Sequence, residues 1–173
     1  MKLSAKIICY HLQKSFSIHT SRLDTFPTLS CPSCFEKSMP LQDGRVYLIT
    51  DPDFQPTFHH PKNILFLMIG KIYQNYELTQ PNMCIIPEDL PVNTVFNKLQ
   101  DIFILYDQWN QSLMDSRLRN ASIQELLDLT TSIIPNPMML IGMDFTIIEA
   151  GTWMISPIPF WVPAKIPGIL WTV

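Results

Sequence analysis

The chain has 173 residues, 47% of them apolar, and its 12 Lys and Arg against 15 Asp and Glu give a net charge of −3. That length suits one full domain and part of a second. With no cluster of more than two basic residues, the chain lacks the cationic field that binding to phosphate backbones requires, so direct nucleic-acid binding is not expected.

The N-terminal stretch has Lys6 inside its apolar part and no small-residue cleavage pattern after it, which does not read as a signal peptide. No clean run of about 18 apolar residues occurs, so no membrane span is expected and a cytoplasmic location follows. Without a secretory signal, Cys9, Cys31, Cys34 and Cys84 are expected as free thiols.

Leu3, Ile7 and Tyr10, with Ile8 and Leu12 beside them, recur at helical spacing after Ser4, a capping residue, and predict a short amphipathic helix between Leu3 and Phe16. Ser17 to Gln42 is expected as loop, with a short edge strand near Cys34 and Phe35. Three apolar runs follow, Val46 to Ile49, Ile64 to Ile69 and Met83 to Ile86. Each is continuous rather than alternating, the pattern of strands buried on both faces, and the gaps between them are long enough for crossovers. The fold class read from this is α/β, a small parallel or mixed sheet with covering helices over residues 1–90.

None of the 5 glycines or 15 prolines lies between Val92 and Ile134, so a long helix and a shorter one are expected across residues 91–134. Asp89 is read as the cap of the long helix and Pro91 as a tolerated first-turn residue. Val95, Leu99, Ile102, Tyr106, Trp109 and Leu113 fall on one line of that helix, flanked by Val92, Phe96, Phe103 and Met114. This is the expected connector or dimer face. It is wider than a two-stranded coiled-coil seam, so part of it can pack on the protein's own core and part on a partner. Asn120 closes the helix, and Ser122 with Glu125 forms a capping box for the next one, whose apolar face carries Ile123, Leu126, Leu127 and Ile134.

Pro135 and Pro137 end that second helix, and Met138 to Ile141 with Phe145 to Ile148 predict a hairpin across residues 135–150. Residues 151–173 differ in kind. Four prolines, three of the four Trp and the lone charge of Lys165 read as an irregular tail, or as a frameshifted one.

The blocks "LPVNTVFNKLQDIFILYDQWNQSL" and "SIQELLDLTTSIIPNPMMLIGMDFTIIEAG" resemble the N-terminal half of bacterial transcription regulators of the PucR-like and CdaR-like family, which govern purine catabolism and sugar-diacid use. Phe96, Asn97, Gln100, Ile102, Phe103, Tyr106, Trp109 and Leu113, then Leu126, Leu127, Asn136, Pro137 and Phe145, carry the resemblance over about residues 1–150. It implies an N-terminal α/β domain, a helical connector, the truncated start of a PAS- or GAF-like sensor, and an absent helix-turn-helix reader. It also implies a homodimer through the long helix and a small-molecule effector whose identity is unknown. The expected function is therefore a sensory and dimerisation fragment; the alternative is a stand-alone small-molecule-binding or catalytic α/β domain.

Against that stand the residue types that chemistry would use. Cys31 and Cys34 could supply two zinc thiolates, with His59, His60 or Cys84 completing the set, but there is no second Cys pair and free thiols in a loop are favoured. Asp51 and Asp53 follow a strand, where α/β sheets place ligand contacts, although Asp-Pro-Asp is also ordinary turn chemistry and is read as such. Phe103, Tyr106 and Trp109 could wall a planar metabolite, yet their helical spacing favours packing. His59 and His60 read as a solvated loop. With no phosphate cradle, nucleophile elbow or metal motif, no enzyme activity and no cofactor are expected.

Overall fold

The computed structural model describes residues 1–51, 54, 63–73, 77, 78, 80–134, 138–143 and 146–150. Asp53, His59, His60, Asn136, Asp144, Phe145 and the tail 151–173 lie outside the described residues. The chain forms two compact units, Met1–Asp107 and a second that begins at Gln108.

In the first unit, α1 (Ala5–Leu12) starts at Ser4, whose hydroxyl accepts from the Ile7 amide and so satisfies one of the orphan donors of the first turn. Strands β1 (His19–Thr20), β2 (Cys31–Cys34), β3 (Arg45–Ile49), β4 (Ile64–Ile69) and β5 (Met83–Ile86) make one sheet in the order β1-β5-β4-β3-β2. The last four are mutually parallel, and β1 is antiparallel to β5. The three apolar runs are thus the centre of the sheet, and every residue of β4 and β5 is buried.

Each step from β2 to β5 moves one strand in the same direction. Right-handed connections then all fall on one face, and the packing agrees. Phe35 and Leu41 from the first connection, Phe54 from the second, and Tyr73 and Leu78 from the third join Tyr47, Ile49, Phe66, Met68, Met83 and Ile85 in one cluster. Alternation along the strands sends Val46, Leu48, Leu65, Leu67, Cys84 and Ile86 to the opposite face, where they are also buried. There α1 lies with Cys9 against Cys84, and its His11 meets Tyr106 of α2 (Val92–Leu118), so this face is roofed by helices.

The edges differ from expectation in two respects. Ser17 to Gln42 contains β1, a two-residue strand with no sequence signal because both its residues are exposed. The strand near Cys34 covers Cys31–Cys34 and keeps Pro32, which an edge strand tolerates and which blunts pairing with another chain.

Helix α2 runs 27 residues without a break, about 40 Å at 1.5 Å per residue. Asp89 does not cap it. Its carboxylate accepts from the Lys71 amide at 3.0 Å and pairs with the Lys71 ammonium at 3.4 Å, tying the turn after β4 to the approach to α2. Asn120, at φ +54°, ends the helix in a left-handed conformation that Asn tolerates.

In the second unit, α3 (Ile123–Thr131) opens with the full capping box. The Glu125 amide donates to Ser122 Oγ at 3.2 Å, and the Ser122 amide donates to the Glu125 carboxylate at 3.0 Å. Ser122→Ala should cost about 1 kcal/mol, read as a lower midpoint in urea unfolding, while Ser122→Asp should recover most of it. The hairpin of β6 (Met139–Ile141) and β7 (Ile147–Ala150) follows, antiparallel with an irregularity after Leu140, and β7 lies beside α3. Ile134, expected on α3's apolar face, lies beyond the end of that helix.

Candidate functional site

Two places could carry chemistry or contacts: the carboxyl ends of the parallel strands, and the surface of α2 with α3.

At the carboxyl ends, the charged residues satisfy one another. Asp51, just after β3, pairs with Lys37 at 3.1 Å, and its carbonyl accepts from the buried Tyr73 hydroxyl. Asp89, after β5, is held by Lys71, and the amide donated by Lys71 lowers the Asp89 pKa below the ordinary carboxylate value. Glu88 accepts from the Ser17 amide at 3.3 Å. Ligand crevices in open α/β sheets form where the strand order reverses. From β2 to β5 it never does, and the connections close over the aromatic cluster instead. Asp51 therefore serves the turn.

The Cys31 and Cys34 thiols are not brought together. Three positions apart on a strand they point to opposite faces, with Cα atoms about 10 Å apart at 3.3 Å per residue. That separation exceeds disulfide reach, and His59 and His60, the other side chains of the zinc alternative, lie outside the described residues. Among the described residues no group of three or more His, Cys, Asp or Glu is placed to hold a metal. The thiols that do meet are Cys9 and Cys84. Their hydrogen bond, followed by burial, raises the Cys84 pKa well above its usual value, which keeps that thiol protonated within the packing between α1 and β5. No spacing rule links positions 9 and 84, so only the fold reveals them.

The line of residues on α2 divides by environment. Val95, Leu99, Ile102 and Tyr106 are buried and belong to the interior of the first unit; Trp109 and Leu113 are half-buried in the second. The first four are therefore not available to a partner. Phe103 and Tyr106 are likewise packed, at 7% exposure each, so they wall no open site. The apolar side chains that α2 does present to solvent are Ile104, Leu105, Met114 and Leu118, at 52%, 39%, 53% and 82% exposure. At about 100° per residue Met114 and Leu118 are close neighbours on the helix surface, to one side of the buried line.

Helix α3 adds to this surface. It is amphipathic, yet none of its residues is buried. Between it and the end of α2 runs an open groove of about 400 Å³, lined by Leu113, Met114, Arg117, Ile123, Leu126 and Leu127. A second, more polar depression of about 560 Å³ has Asp115, Arg119, Glu125 and Asp128 on its walls. The first is open and mainly apolar, which suits contact with another macromolecular surface better than enclosure of a small molecule; in the second the buried Ser116 hydroxyl accepts from Arg119 at 3.3 Å. Sequence periodicity marked Leu113, Met114, Ile123, Leu126 and Leu127 as apolar-face residues, but not that they would remain open to solvent.

Among the described residues no helix is long and apolar enough to cross a membrane. Comparison with protein-family models, with curated proteins and with solved structures found no match to this chain.

Proposed function

We propose that this chain is a non-enzymatic sensory and dimerisation module of a PucR-like transcription regulator, acting in the cytoplasm. The observation that carries the reading is α2 itself. It is one unbroken helix whose first part is committed to an α/β core and whose remainder exposes Met114 and Leu118 beside the unburied apolar face of α3. Exposed apolar surface of this kind marks a contact site. The order of elements, an α/β unit, a long helix, a capped short helix and an antiparallel hairpin, is compatible with the order that the resemblance implies, in which the hairpin would open a PAS- or GAF-like sensor. The mutual pairing of Lys37 with Asp51 and of Lys71 with Asp89 supports a role outside catalysis, since those charges are spent on the loops that hold the sheet.

In this reading a second copy covers the exposed side of α2 and the groove beside α3, and a small-molecule effector acts by biasing two arrangements of the connector. The test is self-association of the purified chain over a concentration series. A reversible dimer that Leu118→Glu and Met114→Glu weaken at least tenfold supports the reading, because each substitution puts a charge into the buried interface.

A further inference from the structure

The contact that ties α1 to α2 is built around a titratable group. His11 lies on the exposed end of α1, half-buried, with its Nε2 3.1 Å from the Tyr106 hydroxyl. Its ring stands edge-on to Tyr10 at 5.4 Å and to Tyr106 at 5.5 Å. Lys14, in the turn just after α1, places its ammonium 4.3 Å from the centre of the Tyr10 ring. Lys98 comes from α2, two turns before Tyr106. The groups that face His11 are thus Tyr10 from α1, Lys14 from the turn after it, and Lys98 and Tyr106 from α2, and the two charges among them are both positive.

We propose that the His11–Tyr106 contact is a proton-sensitive latch between α1 and the connector helix, closed when the imidazole is neutral and loosened when it takes a proton from solvent. In the closed form the latch takes the Nδ1–H tautomer of the neutral ring, so that Nε2 accepts a hydrogen bond from the Tyr106 hydroxyl. Protonation occupies that lone pair, so the hydrogen bond must reverse and the hydroxyl proton must find another acceptor. The new cation also sits in a half-buried position beside two ammonium groups. Burial first, then Lys14 and Lys98, hold the His11 pKa below its ordinary 6.5.

The sign follows from linkage. A histidine whose folded pKa lies below its unfolded value binds its proton more weakly when folded. The contact is therefore complete above pH 6.5 and is lost progressively as the pH falls below it. Tyr106 is the last fully packed residue of α2 in the first unit, so loosening here frees the point from which the helix continues. The latch rests on this geometry alone; its use as an input to α2 rests on the connector reading above.

The experiment is amide hydrogen exchange of the full chain at pH 7.5 and pH 5.5, expressed as protection factors so that the intrinsic pH dependence of exchange cancels. Protection across Ala5–Leu12 should fall about threefold or more at the lower pH, and His11→Gln, which keeps a hydrogen-bonding group but cannot titrate, should abolish the change. Lys14→Gln with Lys98→Gln should move the midpoint to higher pH. Equal protection at both pH values, or a fall that persists in His11→Gln, overturns the latch. Because the readout is local to α1, it is independent of whether the chain dimerises: a monomer with a pH-sensitive α1 keeps the latch and removes the connector reading, and a dimer with a pH-insensitive α1 does the reverse.

Discussion

Phe66→Ala should destabilise the protein by about 3–5 kcal/mol, a large part of the stability of a domain this size. Phe66 sits in the middle of β4, the central strand, at 1% exposure. Its ring meets Phe54 at 5.3 Å and Tyr47 at 6.5 Å, so truncation removes its own transfer energy and leaves a cavity that three connections converge on. The loss should appear as a lower midpoint in urea unfolding followed by circular dichroism, with the slope unchanged. Phe26→Ala is the control. Phe26 is 74% exposed, and its removal should change stability by no more than about 0.5 kcal/mol.

Asn82→Ala should be the next most damaging, at about 2–4 kcal/mol. Asn82 immediately precedes β5 at φ +58°, a left-handed conformation that Asn adopts and Ala resists. It is also buried, and its side chain binds Asp24 twice. The carboxamide oxygen accepts from the Asp24 amide at 2.8 Å, and the nitrogen donates to the Asp24 carboxylate at 2.6 Å. Its own amide and carbonyl bond to Arg22 and Phe66 respectively. One residue therefore joins the loop after β1 to the inner strands. Asn82→Gly restores the backbone freedom but not the side-chain bonds, so it should recover about 1 kcal/mol of the loss. Equal damage from both substitutions would show that the left-handed backbone contributes nothing.

How much of this was legible in the sequence depends on how local the cause is. The strands β3, β4 and β5 were readable because burial on both faces leaves an unbroken apolar run. The capping box of α3 was readable because both of its partners lie within one turn, at Ser122 and Glu125. Strand β1 was not, because two exposed residues pairing with β5 carry no periodicity. The links between Asp24 and Asn82, Cys9 and Cys84, and His11 and Tyr106 are long-range consequences of the fold, and no spacing announces them. Asp89 illustrates a local reading overridden by a tertiary partner: its position suited a helix cap, but Lys71, brought close by the turn after β4, took the carboxylate.

The surface of α2 was half legible. The wide apolar face correctly placed one long helix, since its forming residues recur at helical spacing and no breaker intervenes. Periodicity alone could not show where the core ends along that helix. Val95, Leu99, Ile102 and Tyr106 are taken up by the first unit, so they are closed to a partner. The candidate contact thus moves from Tyr106 to Met114 and Leu118, with the groove beside α3 that Leu113 also lines.

The central claim is that this exposed side of the connector is where a second copy binds, and sedimentation velocity across a hundredfold concentration range tests it most directly. A monomer–dimer equilibrium is expected, shifted to monomer by Leu118→Glu while circular dichroism stays unchanged. Monomer at every concentration, or a dimer indifferent to Leu118→Glu and Met114→Glu together, would contradict it.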